Sequence, residues 1–331
     1  MEYLLLIVGL GLLLLAANYL VDSSVAIAQR AKISDFIIGL TIVGIGTSAP
    51  ELFVSISSAL SYTPNPGNGS GDIAMGNVIG SNIANVLLIL GVASMICPFA
   101  IERLQRRRDI PFLILATIFV ALIASDSLVF GAQENSLTRL DGIVLLVLFI
   151  AYMGWTVVKK GKDSDKEAQE ADEEAKSSLT GKSLWLLWAI ALASLALLIY
   201  GGDMFLDNAK KLASAWGMSD AVIGITIVGV GTSLPELVTA IIAASKKNPQ
   251  LALGNVIGSN LFNLMFILGT TATVKELTIK SISFVDYGVM LLAAIMLYMV
   301  VLTFKKDKFD RIEGVIFFVL YVAYTAYLLM R

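Results

Sequence analysis

Residues 39–60, GLTIVGIGTSAPELFVSISSAL, set one glutamate, Glu51, in the middle of a long apolar run. Residues 224–245, GITIVGVGTSLPELVTAIIAAS, do the same with Glu236. In both stretches a proline stands immediately before the glutamate, and a Gly-Thr-Ser stands before the proline. A carboxylate in hydrocarbon surroundings costs several kcal/mol unless a cation or a hydrogen-bond donor meets it. A chain that carries so costly a feature twice must fold in a way that makes use of it.

The surroundings of these glutamates are set by composition. Of the 331 residues, 57 % are hydrophobic and 15 % charged, and the mean hydropathy is +0.81. Soluble domains are about a quarter charged. Apolar runs recur from end to end, and a membrane-crossing helix needs roughly 20 such residues. The pattern therefore predicts an all-α integral membrane protein of about ten transmembrane helices. Their approximate limits are 3–28, 36–60, 73–97, 110–130, 140–158, 183–212, 221–245, 250–274, 284–304 and 312–330. The first run lacks the basic leader of a signal peptide and carries Glu2 instead, so it reads as a retained span.

Several function classes drop out. A net charge of −2 and a pI near 5.3 leave no nucleic-acid footprint. Cys97 is the sole cysteine, which excludes an intrachain disulfide and a Cys metal site. Histidine is absent, and with it the commonest proton shuttle and transition-metal ligand. An ion handled here is expected to be hard and bound by oxygen. No nucleophile–base pair or metal triad is visible, so the chain reads as a non-enzyme that needs no cofactor. GIGTSA and GVGTSL graze the dinucleotide fingerprint, but its third glycine and a soluble βαβ setting are missing.

The chain repeats itself. An offset of 185 residues superposes Asp22 on Asp207, Ser34-Asp35 on Ser219-Asp220 and Glu51 on Glu236. The loop SYTPNPGNGSGD then adds seven residues to the first half, and GNVIGSNIAN (76–85) matches GNVIGSNLFN (254–263) at an offset of 178. DGIVLLVLFIAY (141–152) resembles EGVIFFVLYVAY (313–324). Two halves of five spans, 1–158 and 183–331, follow, joined by a polar hinge at 159–182. Five is odd, so the second half enters from the opposite face. This is the inverted-repeat plan of many secondary transporters.

Lys and Arg assign the sides. Eighteen of the 24 gather on one side, the hinge lysines, Arg30, Arg103, Arg106 to Arg108, Lys246 and Lys247 among them. That side is expected to be cytoplasmic, with both termini outside a plasma (inner) membrane. The hinge itself reads as a solvated linker with room for a short helix. The Asn68-Gly-Ser triplet is of a kind that occurs often by chance. The Gly-rich loop 67–71 reads as a flexible connector. Asp126, Glu134, Asp141, Asp286 and Glu313 fall near span ends and read as interfacial. Asp22 and Asp207 are expected to cap or to pair with a basic neighbour.

The second span should break. Gly44, Gly46 and Pro50 disfavour a continuous helix, so the break is expected near Thr47–Pro50, and Gly229, Gly231, Thr232, Ser233 and Pro235 repeat the arrangement. A break frees carbonyls that need a partner inside a membrane. Ser48 and Glu51 share a face if the helix resumes there. In the third and eighth spans, Gly76/Gly80 and Gly254/Gly258 allow close backbone approach. Ser81 with Asn85, and Ser259 with Asn263, offer neutral oxygens on one face. Carboxylates with carbonyl oxygens suit Ca²⁺ or Na⁺ better than a soft metal.

GTSAPELFVS with GNVIGSNIAN, and GTSLPELVTA with GNVIGSNLFN, resemble the two α-repeats of the cation/Ca²⁺ exchanger superfamily, in particular its prokaryotic Na⁺/Ca²⁺ exchangers. The resemblance runs the length of the chain. It implies that Glu51 and Glu236 are the central carboxylate ligands, with backbone carbonyls at Thr47 and Thr232 completing a Ca²⁺ site. It further implies flanking Na⁺ sites lined by Ser48, Ser233, Ser81 and Ser259 with carbonyls near Gly44 and Gly229, and places Asn85 and Asn263 level with the glutamates. Some members carry Asp at one of the last two positions. Asn at both removes a third carboxylate and argues against K⁺ co-transport. The function expected is Ca²⁺/Na⁺ antiport by alternating access in a monomer. A Ca²⁺/H⁺ antiporter is the nearest alternative, and a passive cation channel one of a different class.

Overall fold

The repeated apolar runs become helices that differ sharply in how deeply they are buried. The computed structural model describes residues 1–63, 69–129, 131, 134–171, 177–217, 231–300 and 308–330. The first half contains α1 (Glu2–Ala31), α2 (Asp35–Thr47), α3 (Ala49–Leu60), α4 (Asp72–Ile96), α5 (Ile110–Ile123) and α6 (Arg139–Ala171). The second contains α7 (Leu184–Ala215), α8 (Leu234–Ser245), α9 (Pro249–Val274), α10 (Phe284–Val300) and α11 (Arg311–Met330).

Each of the ten expected runs contains helix among its described residues. Among the described residues, six helices are long and apolar enough to cross a membrane, or seven if the bent pair α2–α3 counts as one span. α8 and α10 are shorter apolar helices. The run expected at 221–245 is described only from residue 231 onward.

α4 and α9 form the enclosed centre, and the two halves interleave around them. α6 of the first half packs on α9 of the second, and α11 of the second packs on α4 of the first. Glycines allow both crossings. A Cβ on Gly142 would lie 2.7 Å from the Gly269 carbonyl oxygen, and one on Gly314 would lie 2.7 Å from that of Gly91. The tightest approach joins α2 to α9. There a Cβ on Gly254 would run into the Phe36 carbonyl, and one on Gly258 into the Leu40 carbonyl. Gly76 and Gly80 meet no backbone within 4 Å among the described residues. Their counterparts on α9 pack against 36–44, and the repeat equivalents of that stretch, 221–229, lie outside the described residues.

α1 and α7 pack side by side along the flank. Arg30, at the end of α1, donates to the Lys182 carbonyl ahead of α7 at 2.9 Å, while Gly9 lies against Phe205. The two helices are therefore antiparallel. Two short ribbons close opposite ends of α4. β1 (Phe99–Ala100) pairs antiparallel with β4 (Lys308–Phe309), and β2 (Asn135–Leu137) with β3 (Leu277–Ile279). Each ribbon takes one strand from each half.

One connector carries the helix allowed for it and another differs from its expected form. The hinge starts as helix, because α6 runs on through 159–171, a stretch rich in Lys, Glu, Gln and Ala, all good helix formers. Residues 69–71 are pinned rather than flexible. Ser70 N–H donates to Thr278 Oγ1 and Gly71 N–H to the Thr278 carbonyl, both at 2.9 Å. A Cβ on Gly69 would collide with that carbonyl, so glycine serves close approach here. Asn68 lies outside the described residues.

The span-end acids act as caps. Asp141 accepts from Thr138 N–H at 2.9 Å, Asp286 from Ser283 N–H at 3.1 Å, and Glu313 from Asp310 N–H at 3.1 Å. Each reaches back three residues to a helix start, satisfying a backbone donor that would otherwise lack a partner. Near the other end of α5, Arg108 and Asp109 are buried together, with Nε 2.6 Å from Oδ1 and Tyr152 OH donating to the same oxygen at 2.8 Å.

Gly258→Ala is expected to cost about 1–3 kcal/mol through overpacking against α2. Gly11→Ala, with nothing within 4 Å of its added Cβ, is expected to be neutral or stabilising by up to about 1 kcal/mol. Thermal unfolding of the two variants in detergent gives the comparison.

Candidate cation-binding site

The break predicted near Thr47–Pro50 falls at Ser48. There φ and ψ are −86° and 12°, and the helix axis turns by 41° between α2 and α3. Pro50 sits in the first turn of α3 and has no N–H to offer the preceding turn. Ser233, the repeat equivalent of Ser48, has φ and ψ of −90° and 10°, with Pro235 in the first turn of α8. Two serines 185 residues apart thus take the same backbone conformation ahead of a proline.

The bends bring each glutamate to the serine of the other half. Ser48 Oγ donates to Glu236 Oε1 at 2.8 Å, and Ser233 Oγ to Glu51 Oε1 at 3.5 Å. Both glutamates are 1 % exposed. Glu51 Oε2 and Glu236 Oε2 are buried and have no hydrogen-bond partner. Ser81 lies beside Glu51, and Thr47 beside Glu236. The Thr47 hydroxyl is already engaged with the Val43 carbonyl at 3.0 Å and with Asn255 Oδ1 at 3.3 Å. Thr232 is half-buried at the second break.

The remaining neutral residues divide by what they touch. Ser259 Oγ donates to the Gly44 carbonyl at 3.1 Å, so a hydroxyl and a carbonyl expected to share a subsite are in direct contact. Gly229, expected to do the same with Ser81, lies outside the described residues. Asn85 and Asn263 are buried, and the Oδ1 of each has no partner. They sit on π-helical turns, Ala84–Leu90 in α4 and Phe262–Ile267 in α9. The first turn packs against α8, which carries Glu236, and the second against α3, which carries Glu51. Insertions of this kind in α-helices often mark functional sites.

Sequence reasoning passed over four further asparagines. Asn77 donates to the Glu51 carbonyl at 3.4 Å, and Asn255 accepts from Thr47. Asn82 and Asn260 bond each other and the Asn85/Asn263 pair. All four belong to the two copies of GNVIGSN. The signal available was the duplication of every intramembrane amide, not only of the one nearest the glutamates.

A cavity of about 430 Å³ reaches both breaks, lined by Pro50, Thr232 and Pro235 on one wall and by Asp203, Asp207 and Lys210 of α7 on the other. Asp207 pairs within its own helix with Lys210 at 3.6 Å. Its repeat equivalent Asp22 is tied down at the other end of the molecule. It bonds Lys246 Nζ at 2.5 Å and Ser178 Oγ at 2.6 Å, and its backbone carbonyl accepts from Ser177. The sequence-based expectation of basic neighbours holds for both aspartates, but only Asp22 is locked across elements.

The centre thus gathers buried acceptors: two carboxylate oxygens and two amide oxygens without donors among the described residues. Among the described residues no group of three or more His, Cys, Asp or Glu forms a metal cluster. Two carboxylates with neutral oxygens make a donor set for a hard cation.

The profile of the sodium/calcium exchanger protein family matches residues 1–158 and 186–330. The putative antiporter CaxA of Alkalimonas amylolytica is 35 % identical over 323 residues, covering 96 % of this chain and 95 % of its own. The inner membrane protein YrbG of Escherichia coli K12 is 36 % identical over 298 residues, covering 88 % and 86 %. A solved structure of the sodium-calcium exchanger NCX_Mj, soaked with Na⁺ and Ca²⁺, superposes with a TM-score of 0.79 at 32 % identity, covering 98 % of this chain and 97 % of that one.

Glu236→Gln keeps an acceptor for Ser48 and removes a buried charge. It is expected to raise the thermal midpoint measured in cation-free buffer. Glu236→Ala leaves Ser48 unpartnered and opens a void, and is expected to lower stability by about 1–3 kcal/mol.

Proposed function

Since the chain belongs to the sodium/calcium exchanger family, we propose that it is a secondary antiporter that exchanges Ca²⁺ for Na⁺ at one shared site. One observation carries the reading. Two buried glutamates, one from each half, accept crosswise from the other half's serine and each keep one oxygen without a partner. Acceptors crowded in a dry core repel one another, and a cation relieves that repulsion.

Glu51 and Glu236 are proposed as the central ligands, with the carbonyls of Thr47 and Thr232 beside them. Ser48, Ser233, Ser81 and Ser259 and the carbonyls of Gly44 and Gly229 are proposed to line Na⁺ positions, with Asn85 and Asn263 supplying amide oxygens. Together the glutamates carry a charge of about −2, which one Ca²⁺ or a set of Na⁺ ions neutralises. Both loads at once would pack like charges into one cage, so occupancy is competitive. Competition for one set of ligands is what couples the two fluxes.

The two halves, 1–158 and 183–331, are proposed to be inverted repeats joined by the hinge 159–182, with α1 and α7 as the part that moves. The cavity along α7 gives access from one end, and the Asp22–Lys246 contact closes the other. The closed end holds Arg30, Lys182 and Lys246, which belong to the Lys/Arg-rich side. That side is proposed to face the cytoplasm, both termini lie outside, and the chain works as a monomer in the bacterial-type inner membrane. Alternating access then follows from motion of one pseudosymmetric part against the other.

In vesicles loaded with Na⁺, an outward Na⁺ gradient is expected to drive ⁴⁵Ca²⁺ uptake, and both Glu51→Gln and Glu236→Gln are expected to abolish it. Uptake that persists in either variant removes that glutamate from the site. With two asparagines in place of a third carboxylate, added K⁺ is expected to leave the rate unchanged. A pH gradient without Na⁺ is expected to drive no uptake, and uptake there would replace Na⁺ by H⁺ as the coupling ion.

A further inference from the structure

Four asparagines join α4 to α9: Asn82 and Asn260 close a ring by bonding each other, and Asn85 and Asn263 each hang on it. Asn82 Nδ2 donates to the Asn260 carbonyl and Asn260 Nδ2 to the Asn82 carbonyl, each at 3.3 Å. Asn85 Nδ2 donates to Asn260 Oδ1 at 2.9 Å, and Asn263 Nδ2 donates to Asn82 Oδ1 at 3.1 Å. The offset of 178 maps Asn82 to Asn260 and Asn85 to Asn263, so every bond in the ring is mirrored in the other half.

The ring spends its groups unevenly. Asn82 and Asn260 use both the amide nitrogen and the amide oxygen. Asn85 and Asn263 use only their nitrogens, and both Oδ1 atoms are left buried with no partner. A ring that served only to hold α4 to α9 would gain by turning these amides to find donors, since an unmet buried acceptor costs about 1–3 kcal/mol. Instead both are held the costly way round, on the turns that pack against the two glutamate helices.

We propose that Asn82 and Asn260 are positioning residues: each accepts the amide N–H of its partner so that Asn85 and Asn263 can present only oxygen to the transported cation. A primary amide free to rotate would offer NH₂ and oxygen alternately, and NH₂ beside a cation is repulsive. The ring removes the wrong orientation before the ion arrives, and it does so with neutral groups, leaving the charge of the site to the two glutamates. The proposal rests on the exchange reading given above, with Asn85 and Asn263 as ligands.

Steady-state Na⁺-driven Ca²⁺ uptake in proteoliposomes tests it through KM and maximal rate. Asn260→Leu keeps the branched heavy-atom skeleton and removes the acceptor for Asn85. It is expected to raise KM for Ca²⁺ by about tenfold or more, with a smaller change in maximal rate. Asn85→Asp has no wrong orientation, because both of its terminal atoms are oxygen. In that background Asn260→Leu is expected to change KM by less than about threefold. Asn82→Leu with Asn263→Asp gives the mirror experiment. Should a leucine variant fail to fold, Asn260→Gln, which keeps the amide but displaces its oxygen by one methylene, carries the same prediction at smaller size. A KM within twofold of the parent in folded Asn260→Leu or Asn260→Gln overturns the proposal. So does an equal penalty in the Asn85→Asp background, which would mark the ring as structural support. Glu51→Gln runs alongside. If it exchanges, the placing of Glu51 in the shared site has failed. If it is inactive while Asn260→Leu keeps the parent KM, only the positioning role has failed.

Discussion

Two carboxylates sit 1 % exposed in the core, and each is held by a hydroxyl from the opposite half of the chain. That crossed contact sets terms for the rest of the structure. Neither half can satisfy its own glutamate, because the serine three residues before each one bonds across the interface. The halves must therefore interleave, and they do so everywhere: α6 on α9, α11 on α4, and one strand from each half in both ribbons. Buried polar groups are stable only in company, and for the two glutamate side chains the serine hydroxyl comes from the other repeat.

Interleaving on this scale needs backbones that can touch. In a membrane, helix association leans on close packing and interhelical hydrogen bonds, since lipid is as apolar as the side chains it faces. Gly142 against Gly269, Gly91 against Gly314, and Gly254 and Gly258 against residues 36–40 meet that need. The same closeness puts the Gly44 carbonyl within reach of Ser259. Packing and site are one construction: the glycines that seat α2 on α9 also set the height of the site's oxygens. The flank helices α1 and α7 lie over the core, and Asp22 of α1 is tied to it by Lys246.

Much of this was legible in the residues. The duplicated Glu51 and Glu236, the proline-broken helices, the offsets of 185 and 178, and the small-residue faces of GNVIGSN all follow from pattern and elementary cost. The break falls at Ser48, inside the window that Gly46 and Pro50 define. The rest was hidden for a physical reason: a sequence names polar groups but not their orientation. Asn82 and Asn260 draw no notice in the sequence until their amides are seen to bond Asn85 and Asn263. Residues 69–71 read as a flexible Gly-rich connector, because composition does not separate glycine used for freedom from glycine used for contact.

The sequence by itself determined the medium, the two-fold repetition, and the placing of one charge per half where a charge is costly. These are local properties: hydropathy, spacing and the intolerance of helices for proline. Only the tertiary structure decided which oxygens face one another, that each glutamate takes its donor from the opposite repeat, and that the amide oxygens of Asn85 and Asn263 are left without donors. Those facts depend on contacts between residues some 180 positions apart, and no local preference of the chain encodes the direction in which an amide or a hydroxyl turns once two helices have met.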